Sequence, residues 1–246
     1  MKKNFGKNLL VLIVMAGYVW ICLRLFFSGK ISFYVHPDFV PLTFISGLIL
    51  LLILMLLIVS FGFSNSGGKL STGLGESKIR LILILLPIVL FLTLQPKALS
   101  SQAFSTRSLG QTMDLGLSRN MVAPVKFVLN SENRELIDWI RLFSQNAEPD
   151  VYNGMKAKLT GFVLNDQNLP ENHFTLARFV ISCCAADARP VGLTVKYDAA
   201  LFKAVNDQWV EIKGEFIIEE INGERKPVLY LKEAKAIAVP DNPYIS

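Results

Sequence analysis

The chain has 246 residues, 52% of them hydrophobic and 18% charged, with a formal net charge of +5. That is too apolar for one ordinary soluble domain. Residues 148–246 carry 11 Lys+Arg against 14 Asp+Glu (−3) and residues 1–147 carry 14 against 6 (+8), so the basic excess gives no ground for a nucleic-acid partner of the C-terminal part.

The apolar residues are concentrated early. Leu9 to Phe27 is apolar apart from Arg24, Leu42 to Phe63 has no charge, and Ile79 to Leu94 carries only Arg80. Runs of about 17–25 apolar residues match a hydrocarbon core roughly 30 Å thick. Only a helix satisfies its own backbone there, so three transmembrane helices are expected, at about 9–27, 42–63 and 79–95. Pro87 predicts a kink in the third. The first run is longer than a signal-peptide core and lacks a small-x-small cleavage site, so it is expected to stay as an anchor. Together residues 1–97 read as a membrane region in contact with the lipid bilayer.

Lys2, Lys3 and Lys7 precede the first helix, and Lys69, Lys78 and Arg80 flank the loop between the second and third. Lys30, with Arg24 at its edge, marks the loop between the first two. Positive charge retained in the cytoplasm then puts the N-terminus inside. Three passes place the C-terminal domain outside, which makes this a multi-pass protein of the cell membrane. No acidic residue lies within a span, as a proton or cation path requires. The helices therefore read as an anchor, or as a subunit packed on a larger membrane protein. His36 beside Pro37 is either an ion contact at the membrane face or an interfacial residue next to a helix-starting proline. Cys22 reads as a small buried residue.

Ser64 to Ser77, rich in Gly and Ser, reads as a flexible loop. Residues 98–147 read as a linker, extended over 98–127, with one helix at about 132–145 capped by Asn130 or Ser131. Leu136, Ile137, Ile140 and Phe143 fall on one face of that helix. From Asn153 the period becomes two. Ala157, Leu159, Gly161 and Val163 form one alternating run. Phe174 to Ile181 is more uniformly apolar. Val191, Leu193, Val195 and Tyr197 alternate again. Asp198 to Val205 reads as a short helix. Val210, Ile212, Gly214, Phe216 and Ile218 then alternate up to the hairpin signal Asn222-Gly223, and the last strand begins at Val228. Three strands, a short helix and two strands, with glycines where a small barrel must bend, predict an all-β OB-like five-stranded barrel over 148–246. An open antiparallel sheet or small sandwich is the alternative.

Between strands two and three lies Arg178-Phe179-Val180-Ile181-Ser182-Cys183-Cys184-Ala185-Ala186-Asp187-Ala188-Arg189-Pro190-Val191-Gly192. Neighbouring strand residues point to opposite faces, so one thiol would face the core and the other solvent unless the strand has already turned. Ala185-Ala186 adds no bulk, so Asp187 can fold back. Arg178 and Arg189 bracket the segment, and a nearby cation lowers a thiol pKa. Three readings stay open. The cysteines are structural; or Cys183, Cys184 and Asp187, with His173, hold a borderline-soft ion such as Zn²⁺; or the thiols are redox-active in an oxidising compartment. The same residues with Arg178 and Arg189 form a candidate ligand-binding site. No G-x-S-x-G, P-loop or Rossmann glycine fingerprint is present, and no nucleophile–base pair is visible, so catalysis is not expected. Glu219-Glu220 reads as a solvated strand end, and Trp139 and Trp209 as packing residues.

The motif Arg178-Phe179-Val180-Ile181-Ser182-Cys183-Cys184-Ala185-Ala186-Asp187 and the tail Val239-Pro240-Asp241-Asn242-Pro243-Tyr244 are similar to those of the YcgQ family of bacterial membrane proteins. The order of two spans, a loop, a third span, a linker and a small β domain resembles that family over nearly the whole chain. The resemblance implies a neighbouring YcgR-type multi-span permease and hence an accessory role in transport. Some members carry a His-rich loop between spans two and three, but Ser64 to Ser77 holds no His or Cys. The expectation is a membrane-anchored permease subunit whose outer β domain receives a small cationic or metal ligand. The alternatives are an envelope thiol-redox or stress protein, or a structural protein that binds a partner.

Overall fold

A computed structural model describes residues 2–63, 78–94, 96–108, 134–145 and 148–245. The chain divides into two compact units, Met1–Lys97 and Ala98–Ser246. The flexible loop expected at Ser64 to Ser77, the caps Asn130 and Ser131, and most of the extended linker lie outside the described residues.

The first unit holds α1 (Lys2–Phe27), α2 (Val40–Phe63) and α3 (Lys78–Thr93). Small residues let α1 meet its neighbours closely. A Cβ on Gly17 would sit 3.1 Å from Ile88 of α3, and one on Gly47 of α2 would sit 3.7 Å from the Cβ of Cys22. Phe26 and Phe44 add a ring contact at 4.6 Å. His36 is used locally: its Nδ1 accepts from the Asp38 N–H at 3.2 Å, which caps the single 3₁₀ turn Pro37–Phe39 leading into α2.

The three expected spans are not all found among the described residues. Among the described residues one helix is long and apolar enough to cross a membrane, Pro37–Val59, and Leu12–Phe27 is a shorter apolar helix. For α3 the reason is length. The 16 residues of α3 reach about 24 Å at roughly 1.5 Å per residue, short of a core roughly 30 Å thick. Pro87 lies inside α3 without ending it.

Among its described residues the second unit is a six-stranded β domain with two α-helices: α4 (Ser101–Ser108), α5 (Leu136–Gln145), β1 (Lys156–Leu164), β2 (His173–Val180), β3 (Arg189–Lys196), β4 (Trp209–Ile221), β5 (Glu224–Ala236) and β6 (Tyr244–Ile245). β1 pairs antiparallel with β2 and β4, β4 with β5, and β2 with β3, while β3 runs parallel to β5. The pairings thus return to their starting strand in the circuit β1-β2-β3-β5-β4-β1. Asn222 and Gly223 both take positive φ, 54° and 81°, and make the two-residue turn their sequence predicts.

Three elements differ from expectation. The stretch read as extended linker contains α4. The short helix expected after β3 is a turn, in which Asp198 accepts from Ala200 N–H through Oδ1 and from Leu201 and Phe202 N–H through its carbonyl. An Asp side chain that satisfies the next amides competes with helix. A sixth strand, β6, adds parallel to β2 with Phe179 opposite Tyr244.

Two buried clusters hold the domain together. In the larger, α5 inserts Leu136, Ile137, Trp139 and Ile140 among Leu159, Val195, Val210 and Phe216. Trp139 and Phe216 are both fully buried, with ring centroids 4.6 Å apart. The smaller gathers Phe162, Phe179 and Trp209 with Phe104 of α4 and Tyr244 of β6. Trp139 and Trp209 therefore serve packing.

Candidate functional site

β2 stops at Val180 because the next side chain, Ile181, turns into the smaller cluster while its N–H donates to Ile245. Cys183 and Cys184 follow on a bend, not on a strand. Cys183 is exposed, Cys184 is half-buried, and both are free thiols with sulfurs 3.7 Å apart. Neither faces the core. Ala185–Asp187 forms one 3₁₀ turn, closed by Asp187 N–H donating to the Cys184 carbonyl at 3.1 Å.

That turn aims Asp187 backwards, as the small alanines allow. Its Oδ2 accepts from Cys183 N–H at 2.8 Å and its Oδ1 from Ser182 N–H at 3.2 Å. Desolvation pushes the Asp187 carboxyl up, but hydrogen bonds from the Cys183 thiol and from the Cys183, Ser182 and Cys184 amides outweigh it and hold it below its ordinary range. The same carboxylate, and then Cys184, push the Cys183 thiol up to about 11.

The bracketing arginines do not lower that thiol. Arg178 instead donates to the carbonyls of Pro243, Asn242 and Tyr244 at 3.2, 3.2 and 3.1 Å, which fastens the C-terminal tail beside β2. Arg189 is exposed at the start of β3. His173 does not join the sulfurs either. It begins β2, and seven residue steps of about 3.3 Å separate it from Val180 at the other end. Among the described residues no group of three or more His, Cys, Asp or Glu is placed to hold a metal ion.

His173 belongs to another cluster. Its Nδ1 lies 2.8 Å from the Glu171 carbonyl, so that nitrogen donates, and its Nε2 lies 3.3 Å from Glu219 Oε2. Lys196 Nζ donates to both Glu219 oxygens at 3.0 and 3.1 Å. Glu219 is thus a cross-strand anchor where a solvated edge was expected. Desolvation raises its carboxyl, but Lys196 and then His173 outweigh that and hold it below 4.5. A depressed folded value gives stability that is present above the unfolded value and lost as pH falls through the folded one. Wild type should therefore lead Glu219→Gln in thermal unfolding above pH 4.5, with the lead shrinking below it. Equal gaps at about pH 7 and about pH 3 would refute this.

Sequence reasoning missed Arg107, the residue that completes the corner. From α4 its Nη1 donates to the Ala188 carbonyl at 2.5 Å and its Nη2 to the Ala185 carbonyl at 3.0 Å. No local pattern marks it, because its partners lie 81 and 78 residues away.

The chain has known relatives. Residues 10–109 match the DUF1980 N-terminal domain and residues 117–246 match the DUF1980 C-terminal domain. A Streptococcus mutans protein named as a two-component membrane permease complex subunit is 28% identical over 123 residues. That match covers 49% of this chain and 42% of the relative, so the chain matches less than half of that protein's length.

Proposed function

The chain belongs to the DUF1980 family, and from that membership we propose that it works as a membrane-anchored accessory subunit of a permease. The observation that carries the reading is α2. The most apolar 18-residue window of the span Pro37–Val59 has a mean hydropathy of 3.1 and is only 11% buried. A soluble core helix of that composition would be covered. An uncovered one needs lipid or a membrane partner. The permease-subunit name of the Streptococcus mutans relative and the resemblance to the YcgQ family point to the same kind of partner.

On this reading the β domain is an OB-like barrel and the role is not catalytic. With α2 taken as the crossing found among the described residues, the domain lies on the side opposite the N-terminus. With Lys2, Lys3 and Lys7 inside, it faces the outer aqueous space. The corner of Cys183, Cys184 and Asp187 is the face offered to the partner polypeptide. Affinity-tagged full-length chain should co-purify in mild detergent with a multi-span permease encoded beside it. Recovery of the chain alone would overturn the subunit reading.

A second reading keeps a small cationic ligand at the same corner, and the ionised Asp187 carboxylate beside the exposed Cys183 favours it. Zn²⁺ titration of the full chain against Cys183→Ser/Cys184→Ser decides. Equal binding by both removes that reading.

A further inference from the structure

We propose that Arg107 on α4 is the positioning residue of the thiol corner, so that Asp187 meets Cys183 only while α4 is docked. The inference rests on the reading of that corner as the working face of the β domain.

The geometry is specific. The two carbonyls that Arg107 holds, Ala185 and Ala188, bracket Asp187. One guanidinium fork therefore pins both ends of the single turn that carries the carboxylate. With those ends fixed, the carboxylate points back at the Ser182 and Cys183 amides. A one-turn 3₁₀ segment has few bonds of its own to resist rotation. Two charge-assisted bonds from outside are then a large share of what orients it.

α4 is held by contacts that do not involve the corner. Asp207 accepts from the Ser101 N–H at 2.6 Å and from its hydroxyl at 2.9 Å, while Asn206 Nδ2 donates to the same hydroxyl at 2.9 Å. Asp207 takes a φ of 64°, unusual for a residue with a side chain. Phe104 packs edge-on against Phe179 at 6.1 Å. Ser101 and Phe104 are the buried residues of α4 among its described side chains, and Arg107 is half-buried. It is a short helix with a few separable fastenings.

Its place in the chain gives those fastenings a use. α4 starts at Ser101, and the membrane unit ends at Lys97. A displacement at the end of the membrane unit reaches α4 through three residues, of which Leu99 donates its N–H to the Tyr244 hydroxyl of β6 at 3.2 Å. Release of α4 withdraws both guanidinium bonds, loosens the Ala185–Ala188 turn and frees the Asp187 carboxylate from the Ser182 and Cys183 amides, so that both it and the exposed thiol can meet an incoming polypeptide. Arg107 thereby makes the corner conditional on the state of α4.

The test uses full-length protein in mild detergent. Amide exchange is read at Ser182 and Cys183, and maleimide labelling of Cys183, located by mass spectrometry, is read at one fixed pH. Arg107→Ala should speed both by about tenfold, the effect of a net hydrogen bond or so, while β4 and β5 amides stay protected. Arg107→Lys, which can still reach one carbonyl, should fall between. Ser101→Ala, which loosens α4 from its other end, should shift both readouts the same way. If Arg107→Ala strips protection from β4 and β5 as well, Ser101→Ala carries the decision. Wild-type values at Ser182 and Cys183 in the variant that keeps its fold overturn the proposal. Asp187→Asn separates the two levels. If it speeds labelling and Arg107→Ala does not, the coupling fails alone. If Asp187→Asn also changes nothing, the reading of the corner fails with it.

Discussion

Replacing Asp187 by Asn should speed alkylation of Cys183 near pH 8 by between about tenfold and a hundredfold. The Asp187 carboxylate beside it pushes the thiol from its ordinary 9.0 up to about 11, with Cys184 the next cause. Two pH units correspond to a hundredfold in thiolate at a pH below both values, and that is the ceiling. The Cys184 share survives the substitution, so the gain falls short of it. Asn also keeps one acceptor oxygen for an amide but has no charge. The linkage follows the sign of the shift. A thiol raised in the folded state contributes stability that is complete below its ordinary 9.0 and is lost as pH climbs through about 11. A pH–rate profile of the full chain with iodoacetamide, read on the Cys183 peptide, measures both limbs. Wild type should bend near 11 and Asp187→Asn lower. Coincident profiles would mean that the carboxylate and the thiol are not paired in solution.

The same pairing bears on chemistry. Thiol–disulfide exchange runs through the thiolate, and the neighbouring carboxylate keeps that species scarce at neutral pH. At Cys183 this slows exchange through its own sulfur.

How much of this was legible depended on how far apart in the chain the cause lies. The strands announced themselves through alternation at Ala157 to Val163 and Val210 to Ile218, because one face of each is buried. The Asn222-Gly223 turn was legible because only such residues take two positive φ angles readily. Asp187 folding back on Cys183 was legible for the same reason of locality, since only Cys184 and two alanines intervene. The partners of Arg178, Arg107 and Glu219 were not. Arg178 reads as a neighbour of the thiols in sequence, yet its guanidinium spans to carbonyls 64 to 66 residues on. Glu219 reaches Lys196 and His173 across strands, 23 and 46 residues back. Tyr244 and Ile245 make a strand of two residues, too short to carry a period. The third apolar run failed for another reason. Composition showed that it is apolar, but α3 spans only Lys78–Thr93.

The largest stability loss is expected from Gly214→Ala. The sequence marks this glycine as a bend within an alternating strand, and the fold shows why nothing larger fits. Between Lys213 and Gly214 the register with β5 shifts: Lys213 faces Glu233 and Gly214 faces Leu231, which leaves Lys232 as the extra residue. The shift brings β5 backbone against Gly214. A Cβ there would stand 2.4 Å from the Tyr230 carbonyl oxygen and 2.9 Å from Leu229 Cγ. A carbonyl in a paired strand cannot rotate away as a side chain can, so the β4–β5 ladder itself must move. Gly192 is the contrasting case. Its added Cβ would also meet an atom at 2.4 Å, but that atom is Thr175 Cγ2, which a change of rotamer can shift. Gly214→Ala should cost about 3 kcal/mol, or roughly 10 °C in Tm for a domain of this size, and Gly192→Ala distinctly less. Thermal unfolding of the full-length variants, followed by the β-sheet circular dichroism signal, orders them. If Gly214→Ala proves no worse than Gly192→Ala, the close approach of β5 to β4 at this position is wrong, and with it the bulge that sets the path of β5 back to β3.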